Sequence, residues 1–218
     1  MNQILLYALA AVPFICVFLL LLVLRRIDEF PFGTIFLGLL GIVIAFGSGI
    51  ISLFAVINYF PQTNSTLSDS FLIGVFAVIM AVACIVGEFF RYMVLKTSQK
   101  EERPALSGLA YGVGMALGEY IFFIAMSVMN VDYKIGLDMV LMLLVDIIIQ
   151  IGISFVAFEL IKQDNIAFAP VGGMYYLSLF LLMALNGSTV LNIVAKAVVL
   201  IITGALTIVF WPSKRVTE

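Results

Sequence analysis

The stretch GLAYGVGMALGEYIFF, residues 108–123, contains a single charged residue, Glu119, in an otherwise uncharged and mostly apolar run. A carboxylate in hydrocarbon is costly, and such a residue within a membrane span usually faces protein or a water-filled cavity. Glycines recur at a four-residue spacing that lets another helix backbone approach closely: Gly108, Gly112, Gly114 and Gly118. Gly114 and Gly118 directly precede Glu119, and the earlier pair extends the same small-residue spacing. The stretch therefore predicts a helix packed inside a membrane protein, with a buried acid beside its packing face.

The composition of the whole chain indicates the solvent around that helix. Of 218 residues, 64% are hydrophobic and 11% are charged, and the mean hydropathy is +1.22. These values exclude a water-soluble domain and predict a single integral membrane domain over residues 1–218. The net charge of −2 and the lack of a basic cluster argue against a nucleic-acid partner.

Seven apolar runs are long enough to cross a bilayer, for which a helix needs about 20 apolar residues. The runs cover residues 3–24, 32–58, 70–95, 105–129, 137–161, 166–185 and 189–211. The segments between them carry charges, prolines and turn-forming residues, which hydrocarbon excludes. The predicted fold class is all-α, a polytopic bundle of seven transmembrane helices.

The basic residues outside the spans predict the orientation, since Lys and Arg accumulate in cytoplasmic loops. With the N-terminus outside, the cytoplasmic side receives Arg25, Arg26, Lys96, Lys100, Arg103, Lys162, Lys214 and Arg215. Only Lys134 then falls on the outer side. The prediction is therefore N-out and C-in.

The first functional candidates are ionisable residues inside the predicted spans: Glu88, Arg91, Glu119, Asp146, Glu159 and Lys196. Glu88 and Arg91 are three residues apart, so they share one helical face and can form an ion pair. Because Lys96 follows closely, we expect the Arg91 head group to reach the membrane interface. Glu159, beside Lys162 at the end of its span, is interpreted as an interfacial residue.

Two residue pairs at i, i+4 spacing place polar side chains near the middle of the bilayer. Asp146 and Gln150 share a face of the fifth span, and Asn192 and Lys196 share a face of the seventh. We expect an interior cluster of Glu119, Asp146, Gln150 and Lys196, in which Lys196 pairs with one of the two carboxylates. The spacing does not decide which carboxylate that is.

The chain has no histidine, and its two cysteines, Cys16 and Cys84, fall in distant spans. Zinc sites are built mainly from these two residue types, so we predict no metal and no cofactor. A carboxylate site for a hard cation such as Mg²⁺ or Ca²⁺ stays open as an alternative. Nucleophilic catalysis by serine or cysteine lacks its usual histidine base.

Two segments resemble a known family: GEFFRYMVLK, residues 87–96, and LSGLAYGVGMALGEYIFF, residues 106–123. They resemble the YhfC family of predicted intramembrane proteases, relatives of PrsW and of the CAAX-processing membrane proteases. In that family a helix with paired glutamates and Arg-Tyr precedes a helix whose glycine-rich stretch holds a histidine and, four residues on, a glutamate. The resemblance lies in the third and fourth spans and implies a seven-helix, N-out fold.

The resemblance implies roles for four residues of these two spans. Glu88 stands at the second glutamate of the pair and Glu119 at the glutamate of the next helix, which are catalytic positions in an active member. Arg91 and Tyr92 stand at the supporting Arg-Tyr. Gly87 occupies the place of the first glutamate.

The imidazoles that the family chemistry uses are missing at every expected place. Met115 stands at the histidine of the fourth span, and Gln150 aligns with a further histidine on the fifth. The last position falls among residues 174–179, which are mostly apolar or aromatic. Water activation needs a base, and oxyanion stabilisation needs donors, so the substitutions favour a member without catalysis.

Three functions follow as expectations. The first is a non-catalytic, protease-like scaffold in a bacterial cytoplasmic membrane, which binds another membrane protein or a transmembrane or peptide segment. The second is an active protease that depends on Glu88 and Glu119. The third is a small solute or ion transporter subunit that uses Glu119, Asp146 and Lys196 as a proton or ion relay.

Overall fold

The computed structural model describes residues 11–26, 30–59, 69–100, 104–129, 137–184 and 189–210. All regular structure in these ranges is helical, which confirms the predicted all-α bundle of seven helices. The helices are α1 (Val12–Leu24), α2 (Phe32–Tyr59), α3 (Asp69–Thr97), α4 (Pro104–Met129), α5 (Leu137–Lys162), α6 (Phe168–Ala184) and α7 (Thr189–Phe210). A short 3₁₀ helix, Ser98–Lys100, follows α3. Residues 3–10 of the first predicted span lie outside the described ranges.

Several helices are suited to hydrocarbon, where every backbone polar group must be bonded within its own segment. Among the described residues, four apolar stretches are long enough to cross a bilayer: Phe32–Val56, Ile73–Thr97, Leu141–Lys162 and Ile193–Phe210. Ile15–Leu24 in α1 forms a shorter apolar helix. The chain is therefore a membrane protein, while the crossing number of seven and the N-out orientation stay predictions.

The helix α5 lies at the centre of the bundle. It contacts α1, α3, α4, α6 and α7. More than half of its apolar stretch is buried inside the protein, against about a fifth for the corresponding stretches of α2, α3 and α7. Polar side chains that point outward from α5 therefore meet protein on most sides.

The glycines of α4 pack against two different helices. A methyl group at Gly114 would overlap the carbonyl oxygen of Ile35, so this glycine brings α4 against the backbone of α2. At Gly112 the same methyl group would overlap the backbone of α5 at Ile151. The sequence analysis predicted that Gly108 and Gly112 extend the small-residue spacing of Gly114 and Gly118, but the structure places the two pairs against different helices. The two-residue step from Gly112 to Gly114 turns a helix by about 200°, so each pair faces its own neighbour.

The turn between α5 and α6 lies at the same end of the bundle as the end of α3. Asp164 adopts a left-handed conformation with φ of 52°, and the N–H of Asn165 donates to the carbonyl of Leu160 at 2.9 Å. The Lys96 ammonium forms a salt bridge to the Asp164 carboxylate at 2.6 Å. This exposed pair joins two segments that the sequence assigns to the cytoplasmic side.

Candidate functional site

The first of two polar clusters in the interior is the arginine cluster, defined as Glu88, Arg91, Tyr111 and Tyr176. Arg91 is fully buried, and its Nη1 lies 3.0 Å from Glu88 Oε1. The i, i+3 spacing on α3 places both head groups on one helical face. The expectation that Arg91 reaches the membrane interface is wrong, because its guanidinium turns into the protein instead.

Two glycines make room for this cluster. A methyl group at Gly172 on α6 would overlap the Glu88 carboxylate, so the acid packs directly on the α6 backbone. A methyl group at Gly87 on α3 would overlap the hydroxyl oxygen of Tyr176. Glycine at these positions, rather than any special backbone angle, therefore lets α3 and α6 enclose the ion pair.

Arg91 also contacts residues of α4 and α5. Its guanidinium carbon lies 5.8 Å from the centre of the Tyr111 ring, within the range of a cation–π contact. Its Nη2 donates to Gln150 Oε1 at 3.4 Å, a long hydrogen bond. Gln150 is fully buried, and it links the arginine cluster to the second group of polar residues.

That second group is the lysine cluster, defined as Glu119, Asp146, Tyr175 and Lys196, each from a different helix. The Lys196 ammonium donates to Asp146 Oδ2, and both side chains are almost fully buried. The sequence left the partner of Lys196 open between two carboxylates, and the fold pairs it with Asp146. An ion pair in such surroundings is stable only if both partners stay in place.

Glu119 lies beside Asp146, Gln150 and Tyr175, within hydrogen-bonding reach of each side chain. Only 1% of its surface is exposed. Within the described part of the chain, neither Glu119 carboxyl oxygen has a hydrogen bond of good geometry, and Asp146 Oδ1 also lacks one. Polar atoms this deeply buried usually have a partner, so the two carboxyl groups leave hydrogen-bonding capacity unused in the interior.

The structure thus brings together most of the residues that the sequence singled out: Glu88, Arg91, Glu119, Asp146, Gln150 and Lys196. Tyr92 lies elsewhere, stacked on Phe168 with ring centres 5.2 Å apart. The side chain of Asn192 falls outside the described residues. Met115 is fully buried in the apolar core, one helical turn from Glu119. Glu159 is only partly exposed near the end of α5.

Three buried tyrosines belong to these clusters and were not singled out by the sequence reading. Tyr111 lies eight residues before Glu119, about two helical turns away on the same face of α4, so its position was accessible from spacing alone. Tyr175 and Tyr176 fall in the segment where the family resemblance places a histidine. Both tyrosines are buried in the protein interior. They were not selected from the sequence because aromatic residues in an apolar segment are usually part of the core.

No group of three or more histidine, cysteine, aspartate or glutamate side chains is close enough to hold a metal ion in the described ranges. Glu119 and Asp146 are a neighbouring pair of such side chains. Lys196 already supplies a positive charge there, which repels a bound cation. The arrangement is therefore better suited to protons and hydrogen bonds than to metal coordination.

An apolar groove runs along the surface between α3 and α6, with a volume of about 230 Å³. The lining from α3 consists of Ala77, Met80, Ala81 and Cys84. The lining from α6 consists of Gly173, Tyr176, Leu177 and Phe180. Since Tyr176 belongs to both, the groove lies directly against the arginine cluster.

The chain was compared with protein-family models, with curated proteins and with solved structures, and none of the three comparisons found a match.

Proposed function

We propose that this protein is a non-catalytic, intramembrane-protease-like membrane protein that binds a transmembrane or peptide segment of a membrane partner. The observation that carries the proposal is the state of Glu88, the residue at a catalytic position of the resembled family. Its charge is compensated by Arg91 at 3.0 Å, and its carboxylate packs on the backbone of Gly172. A general base must reach the proton that it removes, and Glu88 is engaged and enclosed instead.

The two candidate catalytic acids also have different neighbours. Glu88 forms an ion pair with Arg91. Glu119 lies beside Asp146, Gln150 and Tyr175. Arg91 and Gln150 occupy the space that links the two groups. Activation of one water by both acids needs a shared position for it, so this arrangement favours the binding role.

The residues at the family's histidine positions supply no base. Met115 has neither a donor nor a basic atom, and the Gln150 amide cannot accept a proton near neutral pH. Tyrosine hydroxyls are neutral in the same range. These groups can orient and bind, but they cannot move a proton as an imidazole does.

We assign the binding of a helical membrane segment to the groove between α3 and α6. Ala77 and Ala81 are four residues apart on one face of α3, and Gly173 lies opposite on α6. Small residues at this spacing let a partner backbone approach closely in a membrane. Leu177 is 55% exposed beside them and offers an apolar contact to the same segment.

The first experiment tests catalysis and binding together in purified protein reconstituted in lipid. We expect no cleavage of membrane peptides by the wild type, and we expect Glu119→Gln, which should stay folded, to change partner binding. Cleavage by the wild type that Glu88→Ala abolishes would overturn the proposal and establish the active protease instead.

The second experiment fills the groove. Ala81→Leu should reduce recovery of the membrane partner in a mild-detergent pull-down, because the added side chain occupies the small-residue face. Ala55→Leu on α2 is the matched control, since it adds the same side chain at another exposed alanine. Equal recovery in both variants, with a partner identified, would place the binding surface elsewhere.

A second candidate function is a proton or ion relay in a small transporter subunit, which the buried Lys196–Asp146 pair beside Glu119 favours. Ionisable residues inside spans often form such relays. Proton-coupled uptake in proteoliposomes that Asp146→Asn abolishes would support it. Uptake equal to that of empty liposomes would reject it.

A further inference from the structure

The two polar clusters differ in their balance of acids and bases. The arginine cluster contains one carboxylate, Glu88, and one guanidinium, Arg91. The lysine cluster contains two carboxylates, Glu119 and Asp146, but only one ammonium, Lys196. If every group were ionised, the lysine cluster would hold one uncompensated negative charge in the interior of a membrane protein.

No other basic side chain on the neighbouring helices is available to Glu119. The helices α1 and α2 contain no acidic or basic residue, and Arg91 of α3 is engaged by Glu88. The groups that face Glu119 are Asp146 and Gln150 from α5, Tyr175 from α6 and Lys196 from α7. Lys196 donates to Asp146. The excess charge therefore has no partner within the described residues.

Neighbouring carboxylates that are cut off from water do not both ionise, because each charge opposes the other and burial opposes both. An ionised carboxylate is also an acceptor only, so two of them cannot form a hydrogen bond with each other. A proton on one of them removes the excess charge and creates the missing donor. This accounts for Glu119 and Asp146 facing each other while three of their four oxygens lack a hydrogen bond.

We propose that Glu119 and Asp146 bind one proton between them, so that the lysine cluster is a proton-binding site that is neutral as a whole. Asp146 retains the negative charge that pairs with Lys196, and Glu119 carries the proton as a neutral acid. The site goes beyond the proposed binding role and does not depend on it. Glu88, by contrast, has the Arg91 guanidinium at 3.0 Å to compensate a negative charge.

The experiment that tests this site is infrared spectroscopy of the purified protein in lipid at neutral pH, in the region where a protonated carboxylic acid absorbs. We expect the wild type to show the signal of one buried protonated acid. Glu119→Gln should remove this signal and leave the protein folded, because glutamine is an isostere of the neutral acid. Glu88→Gln is the matched control and should leave the signal at wild-type size.

Two further variants distinguish the shared site from a proton that belongs to Glu119 alone. Asp146→Asn leaves Glu119 as the only partner for Lys196, so Glu119 should ionise and the signal should vanish. Lys196→Met removes the compensating charge, so both acids should be protonated and the signal should double. If Lys196→Met does not fold, the Asp146→Asn result makes the same distinction.

Three results would overturn the proposal. The first is a wild-type spectrum without a protonated-acid signal at neutral pH. The second is a signal that persists in Glu119→Gln and disappears in Glu88→Gln, which would place the proton in the arginine cluster. The third is a signal that appears only when sodium is replaced by choline, which would make the occupant a metal cation.

Discussion

The arginine cluster and the lysine cluster share one interior but are assembled in different ways. The arginine cluster is built on a pair within one helix, Glu88 and Arg91, whose spacing alone brings them together. The ion pair of the lysine cluster joins Asp146 and Lys196, which are 50 residues apart in the chain. The geometry of one helix is enough to bring a local pair together, whereas a distant pair forms only when the helices pack into the bundle.

The difference also concerns charge. The arginine cluster has equal numbers of acidic and basic groups, and Gly87 and Gly172 let the neighbouring helices pack closely around it. The lysine cluster has an excess acid, Glu119, and is therefore able to respond to its surroundings. The difference teaches that Glu88 has a basic partner on its own helix, whereas Glu119 shares its only nearby basic group, Lys196, with Asp146.

The largest effect is expected from Arg91→Met. Removal of the guanidinium leaves Glu88 buried without compensation, and loss of one partner of a buried ion pair costs about 3–5 kcal/mol. We expect a corresponding drop in the free energy of unfolding in detergent, measured by denaturant titration. The double variant Glu88→Gln/Arg91→Met should recover more than half of the loss, because no charge is then left unpaired. A single variant as stable as the wild type would contradict the balanced cluster.

A smaller effect is expected from Gly172→Ala. The added methyl group would overlap the Glu88 carboxylate and force it away from Arg91, and overpacking of this kind costs about 1–3 kcal/mol. The adjacent variant Gly173→Ala is the matched control, because its methyl group would meet only Cys84 Sγ at an ordinary 3.6 Å. Thermal unfolding of both variants in the same detergent measures the difference. Equal stability would show that α6 does not enclose the ion pair.

The adjacent tyrosines of α6 give a third test, since each belongs to a different cluster. Tyr175→Phe removes a hydroxyl that lies against Glu119 and is a potential donor to its carboxyl group, and we expect a loss of about 1 kcal/mol, the usual contribution of a buried hydrogen bond. Tyr176→Phe removes a hydroxyl that has no hydrogen-bond partner in the described structure, so stability should be unchanged or slightly higher. Unfolding measurements on the two variants compare the clusters directly, and the reverse order would refute the assignment.

The smallest effect is expected at the surface, from Lys96→Gln or Asp164→Asn. The two side chains form an exposed salt bridge, and exposed pairs contribute little because water and salt screen them. Asparagine also tolerates the left-handed backbone at position 164. We expect unfolding curves that match the wild type within error. A clear loss in either variant would indicate that the turn after α5 holds the bundle together.

Much of the fold was predictable because apolar runs of membrane length leave the backbone no alternative to helix. The helices in the described ranges follow the predicted spans to within a few residues. Glu88 and Arg91 were also accessible, since an i, i+3 pair depends only on helical geometry. Arg91 was nevertheless expected at the interface, because the sequence does not show that Gln150 and Tyr111 lie across from it.

The sequence predicted which charged and amide residues belong to the candidate site, but not how they pair. Spacing indicated that Asp146, Gln150 and Lys196 face the interior, but it did not choose between Asp146 and Glu119 as the partner of Lys196. The three tyrosines were not predicted as site residues, because an aromatic residue in an apolar run is usually interpreted as part of the hydrophobic core. Their hydroxyls became relevant only when α6 was packed against α3 and α4.

The sequence by itself determined the membrane class, the helices of the described ranges and the local ion pair, because hydropathy and helical period act over one element at a time. Only the tertiary structure decided that Gly112 packs on α5 and Gly114 on α2, and that Lys196 pairs with Asp146. The tertiary structure also decided that Glu119 is the carboxylate without a basic partner of its own. These outcomes depend on which helices lie side by side, and helix packing relates residues that no spacing within a single helix connects.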